Sequence, residues 1–209
     1  MPKNPSNLKS QRVVGDSDEA RIWIQDSDLS LHFKNILTTF TRRFSTLNFY
    51  RETDSLLNNI ERSENIRFPV LLRKVREVLA FIEPNDAVLI QLDKFDGWTP
   101  RGEYLDEIWY RFDLIGYSSR EQHDLLQKVE LFPIGDWHRG GCSTLAVNLS
   151  PIGNLQVFEY CEEDLWDNLY DDISPFESTR AVYASYIDIF EHIIAIKLKD
   201  KRVIKAKSI

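Results

Sequence analysis

The chain has 209 residues, of which 43% are hydrophobic and 28% charged, which is the composition of a globular protein rather than of a disordered segment. Its 26 lysines and arginines face 33 aspartates and glutamates, so the net charge of -7 argues against sequence-independent binding to nucleic-acid phosphates. No apolar stretch is long enough to span a membrane, and the N-terminus lacks the apolar core of a signal peptide. We therefore expect a cytoplasmic protein with neither membrane nor nucleic-acid partners.

The first third of the chain is predicted to be mostly helical. Residues 1–20 are polar and lack apolar periodicity, which indicates a flexible N-terminal arm. Apolar residues then recur at helical spacing over 28–47 and again over 54–63. Pro69, at a first-turn position, opens a third helix that extends to Ile82.

The apolar period changes in the middle of the chain. Residues 89–95 indicate a short helix that Gly97 would end, with a buried strand as the alternative interpretation. Alternation over 108–114 is typical of a half-buried strand. Ser118 and Glu121 have the spacing of a capping box and predict a helix that begins there.

The last third combines strands with one helix. Strands are predicted over 131–134, 144–149 and 155–160, and the turn residues between the last two predict an antiparallel hairpin. Helical spacing returns over 178–196, and a basic C-terminal tail follows over 197–209.

This order of elements predicts an α+β fold in which an antiparallel sheet packs against helices on one face. No repeat or linker divides the chain, so we expect a single domain over 21–196. Residues 21–65 would form an extended helical lead-in, and residues 66–196 would form the core.

Catalytic signatures are absent: the sequence has no phosphate loop, dinucleotide fingerprint, nucleophile elbow or zinc-binding pair. We therefore expect neither an enzyme nor a cofactor. The nearest approach to a reactive cluster is His138 beside Cys142 in a glycine-rich loop, or a triad of Ser143 with His138 and Asp136. Sequence proximity guarantees neither geometry, and we favour a surface turn.

The remaining histidines and the second cysteine have simpler interpretations. His32, His123 and His192 lie in predicted helices away from one another, which favours surface or boundary positions over metal ligation. Cys142 and Cys161 are too few for a disulfide framework and are predicted to be free thiols, although they flank the predicted hairpin and could be neighbours.

Charge segregation is the most specific feature. Residues 154–179 contain eight acidic residues and no lysine or arginine, with aromatic residues between them. Acidic side chains around aromatic anchors suit a protein-binding surface. The alternatives are a solvated acidic loop whose aromatic side chains turn inward, and a divalent-cation site. The candidate contact residues are Glu159, Glu162, Glu163, Asp164, Trp166, Asp167, Tyr170, Asp171 and Asp172.

Five short motifs follow one another in the second half of the chain: 95–98 (FDGW), 110–114 (YRFDL), 131–136 (LFPIGD), 145–149 (LAVNL) and 157–160 (VFEY). In this order they resemble the SUKH superfamily, a group of small α+β domains named partly for yeast cell-wall regulators and found in bacteria mainly as immunity proteins of polymorphic and contact-dependent toxin systems. The resemblance covers about residues 66–196. It implies no catalytic residues, and it implies that Gly97, Gly135 and Gly153 form turns.

From the resemblance and the charge pattern we expect a bacterial immunity protein that binds and neutralises a cognate toxin. The acidic surface favours a basic toxin, such as a nuclease. One alternative is a regulatory scaffold or adaptor of the same fold that binds a cellular protein, and another is an enzyme that uses Cys142 and His138. Outside the basic ends, residues 16–196 carry 17 basic and 32 acidic side chains, a net charge of -15, and the eight unopposed carboxylates of 154–179 match about half of that excess.

Overall fold

The computed structural model contains helices and antiparallel strands in the part of the chain that it describes and confirms the predicted α+β fold. The chain divides into two compact units, residues 1–88 and residues 89–209. The structure describes residues 12–79, 90–92, 97–98, 104–105, 108–111, 119–137, 143–150, 155–170 and 178–197.

The described part of the first unit, residues 12–79, combines a two-stranded sheet with four helices. Strand β1 (Arg12–Gly15) pairs antiparallel with β2 (Phe49–Glu52). Helices α1 (Ser17–Asp26) and α2 (Leu31–Arg43) connect the two strands. Helices α3 (Asp54–Glu64) and α4 (Val70–Leu79) follow, and α4 packs against β2.

The predicted flexible arm over 1–20 is wrong from Arg12 onward, because β1 and the first turn of α1 lie inside it. Asp16 caps α1 by accepting hydrogen bonds from the backbone N–H groups of Asp18 and Glu19, and Glu19 accepts one in return from the Asp16 N–H. This is a capping box with aspartate in the place of serine or threonine. A four-residue strand is too short to show periodicity in a sequence.

Three predicted helices of the first unit are confirmed as α2, α3 and α4. Ser30 caps α2 and Thr53 caps α3, each accepting from a backbone N–H three residues ahead. A single domain with its core over residues 66–196 was predicted, whereas α4 belongs to the first of two compact units. The reason is its packing on β2, a strand that the sequence analysis did not predict.

The second unit is built around an antiparallel sheet. Its described strands are β3 (Ile90–Leu92), β4 (Gly97–Trp98), β5 (Tyr104–Leu105), β6 (Ile108–Arg111), β7 (Leu131–Trp137), β8 (Ser143–Asn148), β9 (Val157–Cys161) and β10 (Thr179–Tyr183). Six of them form one antiparallel sheet with the order β10-β9-β8-β7-β6-β3, and a separate two-stranded ribbon pairs β4 with β5. The described helices are α5 (Arg120–Lys128), α6 (Glu162–Tyr170) and α7 (Tyr186–Lys197).

One core of this unit lies between the sheet and helices α5 and α6. Leu125 and Leu126 of α5 and Leu165 of α6 pack there with Phe158 and Tyr160 of β9. Strands β8 and β9 are buried on both faces, since neighbouring residues that point to opposite sides are equally inaccessible. The apolar run Leu145–Val147 at the centre of β8 is therefore continuous rather than alternating.

Several local predictions in the second unit differ from the structure. Residues 90–92 form strand β3, which is the alternative to the predicted helix. The helix predicted over 178–196 begins only at Tyr186, because Thr179–Tyr183 pair with β9 as strand β10. Gly97 lies in strand β4 opposite Leu105, and Gly135 lies in β7 where the register with β8 shifts, so neither is in a turn. Gly135 has a φ of 155°, which suits a β-bulge. Gly153 lies outside the described residues.

The cap of α5 is displaced by one residue from its predicted place. Ser119 rather than Ser118 is the N-cap, and its hydroxyl accepts from the Gln122 backbone N–H. Both serines offer the same chemistry, so the sequence does not distinguish them.

Candidate protein-binding site

Helix α6 carries the described part of the acidic segment. It begins directly after β9, and Glu163 and Asp164 lie in its first turn, where carboxylates favour the helix N-terminus. Leu165, with no exposed surface, anchors the helix to the core. The Ser178 hydroxyl donates to the Asp164 carbonyl at 3.2 Å and ties the start of β10 to the helix.

The side chains of α6 divide into a buried anchor and an exposed acidic surface. Glu163, Asp164 and Asp167 are exposed, and Trp166 is half-buried beside them. Among the ion pairs formed by described residues, none involves these three carboxylates. We call Glu163, Asp164, Trp166 and Asp167 the α6 acidic surface. Its charge is available to a cationic partner.

Glu159 does not belong to that surface. It is 4% exposed and lies in β9, in register with Arg180 of β10. Opposite charges in such cross-strand positions stabilise a sheet. The prediction that Glu159 contacts a partner is therefore wrong. Its place in the acidic segment 154–179 made it a candidate contact residue, but both faces of β9 are covered.

The alternative in which aromatic side chains turn inward is correct for part of the acidic segment 154–179. Phe158 and Tyr160 are core residues, and the Gln122 side chain donates a 3.0 Å hydrogen bond to the Tyr160 hydroxyl. Only Trp166 combines an aromatic ring with partial exposure next to described carboxylates. The side chains of Glu162 and Tyr170, and the whole of Asp171 and Asp172, lie outside the described residues.

The sequence left a divalent-cation site and a site of Cys142 with His138 as alternatives. No group of three or more histidine, cysteine or carboxylate side chains in the described part of the chain is placed to hold a metal ion. His138 and Cys142 lie outside the described residues. Cys161 is half-buried in β9, opposite Ser143.

His192 is a core residue, and its predicted surface or boundary position is wrong. It is 1% exposed, and a hydrogen bond joins its Nδ1 to the Tyr183 hydroxyl. Burial lowers the pKa of His192 to about 3. His32 is exposed and His123 half-buried, as predicted.

The first unit contains a buried ionic cluster that was not predicted from the sequence. Arg76 of α4 and Arg12 of β1 both contact the carboxylate of Glu52. One signal was present: Leu72, Val75, Arg76 and Leu79 form a single helical stripe, and an arginine within an apolar stripe predicts a buried partner.

Comparisons with known proteins do not define the fold more finely than the α+β class. No protein-family model matches the chain, and neither the curated proteins nor the solved structures give a match. None of the helices in the described ranges is both long and apolar enough to cross a membrane.

Proposed function

We propose that this chain is a non-enzymatic immunity protein that binds and neutralises a basic toxin domain through the α6 acidic surface. The observation that carries the proposal is the set of three exposed carboxylates without an ion-pair partner among described residues, next to a half-buried tryptophan. Tryptophan beside charged groups is a common anchor in protein interfaces. The order of motifs over 66–196, which resembles the SUKH superfamily, supports the immunity role.

The charge distribution between the two units also supports a basic partner. Residues 1–88 carry 13 basic and 12 acidic side chains, whereas residues 89–209 carry 13 basic and 21 acidic ones. The acidic excess therefore belongs to the unit that contains α6. A surface of one sign attracts a partner of the other sign and raises the association rate.

Co-expression tests the proposal in cells. The toxin candidate is the product of the gene directly upstream, expressed with and without this protein, and the measurement is growth of the host. We expect the wild-type protein to protect and to form a stoichiometric complex with the toxin. Protection without complex formation, or no protection, contradicts the proposal.

A matched pair of variants assigns the effect to the α6 acidic surface. Glu163→Lys/Asp167→Lys reverses two of its carboxylates. Asp26→Lys/Glu121→Lys changes the net charge equally at exposed positions in α1 and α5. Loss of protection in the first variant and retention in the second is the expected result. Equal behaviour of the two variants contradicts this choice of surface.

A further inference from the structure

Helices α1 and α2 of the first unit border a groove that has a volume of about 520 Å³. A short loop joins the two helices, so they run antiparallel. The Gln25 side chain of α1 donates a 3.3 Å hydrogen bond to the Thr38 hydroxyl of α2. The Lys34 ammonium donates to the Gln25 carbonyl at 2.8 Å and ties α2 to the end of α1. These contacts hold the two sides of the groove together.

The groove carries opposite charges at its two ends. Asp26 lies in the last turn of α1, one helical turn beyond Ile22, and Arg42 lies in the last turn of α2. Because the helices are antiparallel, Asp26 and Arg42 lie at opposite ends of the groove with Ile22 between them. Asp18 and Arg21 also line the groove, and they form an ion pair with each other. One end is therefore negative and the other positive.

The described residues neutralise neither of these two charges. Asp26 and Arg42 are both exposed, and no ion pair in the described part of the chain involves either of them. Asp26 also lies at a helix C-terminus, where the helix dipole disfavours a carboxylate. Ile22, between the two charges, is 58% exposed. An apolar centre with a charged rim is the arrangement of a protein interface.

We propose that this groove binds a second copy of the chain in a symmetric dimer. A twofold axis near Ile22 exchanges the two ends of the groove, so Asp26 of each copy lies opposite Arg42 of the other. The same surface thus supplies the complementary charge twice, whereas a partner with charge of one sign would match only one end. Because the contact is small, we expect a dimer that forms at micromolar to millimolar concentration.

Charge exchange between the two ends tests the proposal. The average mass of the wild type is measured by sedimentation equilibrium at low salt, and we expect it to approach that of a dimer as the concentration rises. Asp26→Arg or Arg42→Asp places like charges together at both ends, so each variant should weaken dimerisation by a factor of about ten or more. An equimolar mixture of the two variants should regain the wild-type mass, because one copy then has two positive ends and the other two negative ends.

The matched control is Arg43→Asp, which makes the same charge change at an exposed position that does not line the groove. It should dimerise as the wild type does. A wild type that stays monomeric over this range overturns the proposal, and so does an equal loss in Arg42→Asp and Arg43→Asp. A mixture of Asp26→Arg with Arg42→Asp that stays monomeric overturns the pairing of these two ends.

The position of the twofold axis has a separate test. Ile22→Glu brings two carboxylates together at the centre of the dimer and should prevent the increase in mass. Val70→Glu, at a 71% exposed position of α4, should not. Equal behaviour of these two variants overturns the proposal. Dimerisation is not part of the proposed toxin binding, so Asp26→Lys/Glu121→Lys is expected to be monomeric and still to protect cells.

Discussion

His192 shows how one buried residue couples stability to pH. Because its folded-state pKa is near 3 and its unfolded value is 6.5, the unfolded chain binds the proton more readily than the folded one between these limits. Its neutral form thus contributes fully above pH 6.5, and the contribution falls as the pH falls towards 3. Each pH unit in that window costs about 1.4 kcal/mol from this group.

We expect urea unfolding to show that His192→Gln weakens the pH dependence of stability between pH 6.5 and 4.5. The wild type should lose roughly 2 to 3 kcal/mol more over this range than the variant does. His32→Gln, which changes an exposed histidine, is the control and should retain the wild-type slope. Equal slopes for wild type and His192→Gln contradict this account.

Glu52 is the residue on which the charge balance of the first unit depends. Glu52→Gln removes the charge of the carboxylate that the buried guanidinium groups of Arg12 and Arg76 share, and we expect a loss of about 3 to 5 kcal/mol in the free energy of unfolding. Asp28→Asn breaks the exposed pair with Lys74 and should leave the urea midpoint nearly unchanged. A loss for Glu52→Gln as small as that for Asp28→Asn argues against a buried cluster.

The contact between β1 and α1 depends on the absence of a side chain at Gly15. A Cβ atom there would lie 2.5 Å from Cη2 of Trp23, whose ring also faces the Arg51 guanidinium at 5.1 Å. Gly15→Ala therefore requires the ring to move, and we expect it to cost about 1 to 3 kcal/mol. A double-mutant cycle with Trp23→Ala measures the cause, because the alanine should cost far less once the ring is removed. Additive losses contradict the steric explanation.

Helix α6 presents its carboxylates only if Leu165 holds it against the core. Leu165→Ala removes a fully buried side chain, and we expect a loss of about 2 to 5 kcal/mol in chemical unfolding. Glu163→Ala changes an exposed position of the same helix and should stay within about 0.5 kcal/mol of the wild type. Similar effects of the two changes would mean that α6 is not anchored in this way.

Elements with a long apolar period could be predicted from the sequence, and short ones could not. Helices α2, α3 and α4 have many periodic positions, and the β8–β9 hairpin has two apolar runs separated by turn residues; these predictions are confirmed. Strands β1 and β2 have four residues each, and Gly97 occupies a two-residue strand. Pairing with other strands determines the structure of such short segments, and no local sequence pattern indicates that pairing.

Only part of the candidate site could be predicted, because a sequence shows where charges cluster but not which sheet faces are covered. Clustering of acidic residues is visible in a sequence, and it singled out Glu163, Asp164 and Asp167, which are exposed on α6, a helix that was not predicted. Burial of both sheet faces is not visible, so Glu159 was assigned to the wrong environment. The contact between Arg12 and Glu52 joins residues 40 positions apart, and no spacing rule predicts such a pair.

At the scale of the whole molecule, the net charge of -7 is unevenly distributed. The first unit is nearly neutral by sequence, and the second carries the acidic excess together with the α6 acidic surface. Under the proposed function, this distribution would make the second unit the one that attracts a basic partner over long range. Attraction of this kind acts mainly on the association rate and weakens as salt is added.

The most direct test of the central claim is the rate of association with the toxin candidate, the product of the gene directly upstream, measured at low and high salt. We predict that Glu163→Lys/Asp167→Lys slows association roughly tenfold at low salt and flattens the salt dependence. The control Asp26→Lys/Glu121→Lys should resemble the wild type. Equal rates and equal salt dependence for the two double variants would contradict the claim that the α6 acidic surface receives a basic partner.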